Sequence, residues 1–271
     1  MTIESAAAGE TAVVKIGDFP LELQLKNIHE RRYLDWINGK FYPQAEIDRQ
    51  LFRRFIKPQD RVLDAGANIG MTALECLAEG AGHVLCIEPI PELAARIKKL
   101  ESPNLNVIQA AMSDRDGTLE IRRSVTHNQG STYRPEVMAK FPQIFEGEAQ
   151  MLSVPAVTID GLLKSGRHPR FTVWKLDVEG AEADVLKGAE WALQNMPPRI
   201  ILAELFDFVV KEFIERISKT HPRWRRALLS KKTNKLVLLD HEPADMTGYH
   251  GGSPMYVFQR GGTAAAGGQN L

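Results

Sequence analysis

The apolar positions of this chain fall into two rhythms. Short, nearly unbroken apolar runs occupy 61–65, 84–88, 105–109, 171–176 and 199–205. Between and after them, at 69–79, 91–100, 182–194 and 207–218, apolar residues recur every three or four positions. Runs of the first kind predict buried strands and those of the second predict amphipathic helices. Their alternation predicts a mostly parallel sheet with helices on both faces. A covering helix at 44–57 precedes them, with Ile47, Leu51, Phe52, Phe55 and Ile56 on one face. Earlier still, 12–16 and 21–25 flank Gly17-Asp18-Phe19-Pro20, a small hairpin around a turn. Thr118 to Arg123 alternates as a strand, and 124–150 is a long polar connection expected to fold over the sheet as an acceptor lid. Two closing strands, 235–239 and 255–258, have no helix between them, which predicts an antiparallel addition at one edge.

This organisation gives an N-terminal extension at 1–43, partly disordered over its small polar first ten residues. A doubly wound α/β domain follows at 44–260, and a flexible Gly/Ala-rich tail closes the chain at 261–271. Lys+Arg and Asp+Glu both number 34, so the net charge is zero and a nucleic-acid partner is not expected. No signal-like start and no run of about 20 apolar residues is present, so a cytoplasmic protein without an integral membrane segment is expected. Cys76 and Cys86 have neither metal-ligand spacing nor a disulfide pattern, and oligomeric state is not legible.

Chemistry gathers where the apolar runs end. Asp64, Glu88, Asp177 and Glu204 each close one, and open α/β sheets bind ligands outside the carboxyl ends of their strands. After Asp64 comes Gly66-Ala67-Asn68-Ile69-Gly70, a loop that opens a helix, and Glu88 lies eighteen positions beyond Gly70. Such a loop bares backbone N–H groups to a ligand, and the second acid grips ribose hydroxyls. Asn68 replaces the middle glycine of the dinucleotide pattern Gly-x-Gly-x-x-Gly, which points away from NAD and toward S-adenosylmethionine. Asn also tolerates the left-handed turn required there.

Several further motifs carry a resemblance. Asp64-Ala65-Gly66-Ala67-Asn68-Ile69-Gly70, Ile87-Glu88-Pro89, Ala111-Met112-Ser113-Asp114-Arg115-Asp116-Gly117 and Lys175-Leu176-Asp177-Val178-Glu179-Gly180-Ala181-Glu182 occur in that order. Val157-Thr158-Ile159-Asp160 and Val185-Leu186-Lys187-Gly188-Ala189 accompany the last of these. The chain from about Tyr42 to Arg260 resembles the FkbM-type S-adenosylmethionine-dependent methyltransferases. The resemblance implies a class I methyltransferase fold and O-methylation of sugar or natural-product hydroxyls.

On that reading, Gly66, Ala67, Asn68 and Gly70 expose backbone to the cofactor, and Asp64 orients the loop or receives the cofactor's ammonium. Glu88 accepts from the ribose diol, and Ser113 and Asp114 lie at the adenine edge. Asp177 is the first candidate for the base that removes the acceptor proton, and Glu179 is the second. The two carboxylates suit a divalent cation also, but no third or fourth ligand is spelled out, so no metal is assigned. His127 in the long connection is a further candidate base. Asn128 and Gly130 match an Asn-x-Gly element that members of the family often carry; Asn128, Lys175 and Glu204 are candidate acceptor contacts.

The partner is thus a small-molecule or saccharide hydroxyl. The basic stretch Lys219, Arg223, Arg225, Arg226, Lys231, Lys232 and Lys235, around Trp224, reads as a solvated insertion. Its alternative is a surface for an anionic or lipid-linked acceptor or a membrane. Two rival functions remain. An NAD-linked oxidoreductase also uses a glycine loop and an acid for ribose, but no hydride-site signature such as Tyr-x-x-x-Lys is present. A non-catalytic cofactor-binding module would have little use for Asp177 and Glu179.

Overall fold

The buried runs become the centre of one sheet. A computed structural model describes residues 10–124, 130–145 and 149–261, and of residues 2–6 the backbone. The N-terminal elements are strands β1 (Thr2–Ala6), β2 (Thr11–Ile16) and β3 (Phe19–Gln24), then helices α1 (Ile28–Ile37) and α2 (Pro43–Phe55). The first half of the α/β unit is β4 (Arg61–Ala65), α3 (Met71–Ala78), β5 (His83–Ile87), α4 (Pro91–Lys98) and β6 (Leu105–Ile108). A second layer follows: β7 (Ala111–Met112), β8 (Gly117–Ser124), β9 (Ser131–Thr132), α5 (Pro135–Lys140), α6 (Pro142–Phe145) and β10 (Ala149–Val157). The second half comprises α7 (Ile159–Lys164), β11 (Val173–Leu176), α8 (Glu182–Lys187), α9 (Glu190–Asn195), β12 (Ile200–Glu204) and α10 (Asp207–Ile217). Strands β13 (Arg223–Leu229), β14 (Leu236–Leu239) and β15 (Met255–Gln259) close the chain.

The main sheet has eight strands in the order β14-β13-β15-β12-β11-β4-β5-β6. Strands β12, β11, β4, β5 and β6 run parallel, and β15 joins β12 antiparallel. Every residue of β11 is buried, and so are the last four of β4 and β5, as expected for parallel strands covered on both faces. Strand order reverses between β4 and β11, whose carboxyl ends therefore open a crevice. The predicted α/β fold with an antiparallel end is present.

Several elements depart from the sequence reading. Strand β13 occupies part of the stretch read as a solvated basic insertion, with Ala227, Leu228 and Leu229 buried. Its Arg226 is also buried, over the Tyr256 ring at 4.8 Å. Strand β10 emerges from the long connection and pairs with β8 along its whole length in a separate four-stranded sheet. The helix expected over 182–194 is two helices, because a Cβ at Gly188 would stand 2.2 Å from the Ser113 carbonyl oxygen and the chains touch there. At the N-terminus, β1 adds to the predicted hairpin.

Candidate active site

The loop after β4 is set by three left-handed residues: Gly66 (φ 79°), Asn68 (φ 53°) and Gly70 (φ 85°). Gly66 is demanded by more than its φ. A Cβ there would lie 1.8 Å from the carbonyl oxygen of Asp177, so the β4 and β11 loops touch backbone to backbone. The Asp177 N–H also donates to the Ala65 carbonyl, at 3.1 Å. Gly70 caps α3, with Ile97 and Leu100 where a side chain would go.

Glu88, at the end of β5, is buried, and each of its oxygens accepts one backbone N–H: Asn68 at 2.8 Å and Ile90 at 2.9 Å. Burial pushes its carboxyl up to about 7, against those two hydrogen bonds. One carboxylate thus ties the glycine loop to the β5 loop. Each oxygen retains a lone pair.

At the end of β11, Lys175 is a buried hub. Its Nζ lies 3.2 Å from Asp64 Oδ1 and 3.2 Å from Asp177 Oδ2, and donates to the Gly66 carbonyl at 3.1 Å. Burial alone would lower the pKa of this ammonium, but Asp177, Asp64 and Asp48 together hold it well above the usual lysine range. Asp64 is also fixed by the Thr72 hydroxyl at 2.8 Å.

The segment after Asp177 turns sharply, with Glu179 at φ 53° and Gly180 at φ 90°. The Val178 and Gly180 N–H groups both donate to Glu182 Oε1, at 2.9 and 3.2 Å, and the Thr132 hydroxyl donates to the Glu179 carbonyl at 2.8 Å. Burial first, then the charges of Asp177, Glu204 and Glu182, raise the Glu179 carboxyl well above the carboxylate range. Glu204 is raised in the same way by burial and by Asp177. Glu182 is pushed to about 7 by burial, which outweighs its backbone hydrogen bonds.

One cavity joins these parts. Its wall includes Gly66, Ala67, Asn68, Ile69, Thr72 and Glu88 on one side and Lys175, Asp177 and Glu179 on another. Ile87, Met112 and Ile121 supply apolar wall, and Tyr33 and Tyr133 aromatic wall. Seven of the predicted residues meet here: Gly66, Ala67, Asn68, Glu88, Lys175, Asp177 and Glu179.

Others are placed elsewhere. Asp64 and Gly70 lie behind the wall, where they shape the loop. Ala111 and Met112, rather than Ser113 and Asp114, reach the cavity; Ser113 is buried beneath it and Asp114 is exposed. Glu204 is not part of the wall. His127 and Asn128 fall outside the described residues. Among the described residues, no group of three or more His, Cys, Asp or Glu is arranged to hold a metal ion, and no helix is long and apolar enough to cross a membrane.

The sequence reading missed Tyr33, Thr72 and Tyr133. Tyr33 had a usable signal: Asn27, with Glu30 three residues on, is a helix start, and the Asn27 side chain accepts from the His29 and Glu30 N–H groups. Tyr133 had none, since it depends on its hydroxyl finding Asp184, at 2.7 Å, across 51 residues.

The residues of the cavity fit S-adenosylmethionine. A buried carboxylate with lone pairs to spare suits a ribose diol, apolar side chains suit an adenine ring, and an acidic surround suits a sulfonium cation. Comparison with known proteins agrees. The chain is 27% identical over 190 residues to the 2-O-methyltransferase NoeI of Sinorhizobium fredii, which covers 66% of this chain and 77% of that protein. It is 30% identical over 199 residues to the hexuronic acid methyltransferase AglP of Haloferax volcanii, covering 72% and 75% respectively. The family model for the methyltransferase FkbM domain matches residues 64–236, from the acid behind the glycine loop to the start of β14, and so the chain belongs to the FkbM methyltransferases, with S-adenosylmethionine as its cofactor.

Proposed function

We propose that this methyltransferase acts on a hydroxyl oxygen, most simply that of a saccharide, with Asp177 as the group that takes the hydroxyl proton. The observation that carries the reading is the pairing of Asp177 with buried Lys175 at the wall of the cavity, beside a Glu179 whose carboxyl is raised by burial. When bound, the cofactor supplies a methyl group on a positively charged sulfur. Everything else is supplied by side chains. Asp177 keeps 28% of its side-chain surface exposed, enough to meet an acceptor, while Lys175 fixes its orientation. Burial and the neighbouring acids raise the Glu179 carboxyl, which suits it to donate to the acceptor better than to serve as a second base. Glu88 and the 66–69 backbone hold the cofactor, and Asp64, through Thr72 and Lys175, holds that loop. NoeI and AglP are named for a 2-O-methyltransferase and a hexuronic acid methyltransferase, which supports oxygen and a sugar as the target class.

The test compares Asp177→Asn with Glu179→Gln. General-base assistance contributes typically 10²–10⁴-fold, so Asp177→Asn is expected to lower kcat by about 10²-fold or more, with S-adenosylhomocysteine affinity within about threefold of wild type. Glu179→Gln, still able to donate, should retain most of kcat. A larger loss in Glu179→Gln than in Asp177→Asn would reverse the assignment.

A further inference from the structure

The segment N-terminal to the family match contributes to the site. The match begins at residue 64, yet Tyr33, from α1, stands in the wall of the same cavity as Asp177 and Glu179. Among the described residues its hydroxyl has no hydrogen-bond partner, and burial, with the nearby Tyr42 and Asp48, holds it well above the usual phenol range, so it remains a neutral O–H. The Tyr42 ring meets it edge-on, with centroids 5.8 Å apart and planes at 62°. Asp48, one helical turn and a half further along α2, is held by the Gln44 amide at 3.2 and 3.3 Å, and Gln44 in turn accepts from the Ser253 N–H at 2.8 Å. Tyr33 is thus packed against Tyr42 and lines the cavity, with a phenol hydroxyl and an aromatic ring to offer a ligand.

This set of groups has a definite ligand chemistry. An aromatic face is electron-rich and attracts polarised C–H groups, and carboxyl and phenol groups exchange hydrogen bonds with hydroxyls. A ring with C–H groups on its face and hydroxyls around its rim uses both. We propose that Tyr33, packed against Tyr42, forms the acceptor subsite beside Asp177, and that it takes a pyranose ring, whose C–H face lies on the Tyr33 ring while a rim hydroxyl reaches Asp177. The proposal rests on the saccharide reading above and adds the residues that recognise the sugar. It also assigns recognition of the acceptor to α1 and α2, outside the segment that defines the family.

The experiment uses the full chain saturated with S-adenosylhomocysteine. Methyl α-glucopyranoside, methyl α-mannopyranoside and methyl α-rhamnopyranoside are the probes, followed by saturation-transfer NMR. Wild type should transfer saturation to the ring C–H protons of at least one probe. Tyr33→Leu, which fills similar space without a π face, should lose that transfer, and Tyr33→Phe should keep it. Both variants should bind S-adenosylhomocysteine within about twofold of wild type, with the fold intact by melting temperature. A tenfold fall in S-adenosylhomocysteine affinity would overturn the proposal by placing Tyr33 against the cofactor. Undiminished transfer in Tyr33→Leu would overturn it too, and so would the absence of transfer from wild type to all three probes. A sugar that binds through Tyr33 yet is never methylated leaves the subsite standing and rejects the O-methylation reading. A sugar methylated as well by Tyr33→Leu as by wild type does the reverse.

Discussion

Glu88 ties the glycine loop in place and lines the cavity, so the proposed ribose contact would give one side chain two tasks. Its two oxygens hold the Asn68 and Ile90 N–H groups, which fixes the left-handed Asn68 that the glycine loop needs. Glu88 also lines the cavity, and in the proposed reading its remaining lone pairs accept from a ribose diol. A hydrogen bond to a charged group contributes about 1.5–3 kcal/mol, so Glu88→Ala should weaken S-adenosylhomocysteine binding by roughly 10- to 100-fold or more. Isothermal titration checks this, and a change below threefold would remove the carboxylate from the ribose. Glu88 was legible in the sequence because an acid that ends a buried strand has no business in a core. Gly66 was legible as a loop glycine but not for its actual reason. Its missing Cβ makes room for the Asp177 carbonyl, a contact across 111 residues that no local pattern encodes. For Ser113 and Asp114 the motif was legible, while the residues of it that line the cavity are Ala111 and Met112.

At the scale of elements, the turn between β11 and α8 presents the proposed base, and Glu182 shapes it. This glutamate sits in the first turn of α8 and reaches back, so that one oxygen accepts from both Val178 and Gly180. A non-glycine residue at φ 53° is uncommon and persists only where its surroundings over-determine it. Glu182→Ala should release that turn, lowering kcat at least tenfold while leaving S-adenosylhomocysteine affinity within about twofold. Glu182→Gln keeps an oxygen that can accept both N–H groups, and should restore kcat to within about threefold of wild type. Equal losses in the two variants would mean that charge, not the clamp, is what matters.

The parallel strands β4, β5, β11 and β12 were found from sequence to within a residue or two, because burial on both faces leaves an uninterrupted apolar run. Strand β10 was missed since only two of its nine residues are buried and Pro155 interrupts it. Strand β13 was missed because three arginines dominate its first half, although Arg226 lies buried along Tyr256.

For the whole molecule, the consequence of gathering acids at one sheet edge is a stability that depends on pH in an uncommon direction. Burial pushes the carboxyls of Asp48, Glu88 and Glu182 up to about 7, from ordinary values of 3.8, 4.5 and 4.5. Between roughly pH 4.5 and 7 the folded chain therefore keeps protons that the unfolded chain has already released. Unfolding free energy falls as pH rises across that window, by up to about 1.4 kcal/mol per pH unit for each fully engaged group. His221 works the other way. Burial lowers it from 6.5 to about 4, so between those values the unfolded chain is the one that holds the extra proton, and stability rises with pH. His83 and His168 are lowered by burial too, but Glu75, Glu179 and Glu204 are raised, so carboxyls outweigh histidines, and above pH 6.5 the histidines no longer contribute.

The cofactor-free protein should consequently lose melting temperature steadily from pH 5 to 7.5, measured by calorimetry at constant ionic strength. S-adenosylhomocysteine should reduce that loss, because ribose hydroxyls donate to the ionised form of Glu88 and stabilise the charge that burial alone disfavours. A melting temperature that rises through this range would show the three carboxyls to be ionised in the fold. The burial that raises Glu179 would then carry less weight, and with it the reason for choosing Asp177 over Glu179 as the base. The pH profile of the empty protein thus tests the electrostatics of the site before any acceptor is known.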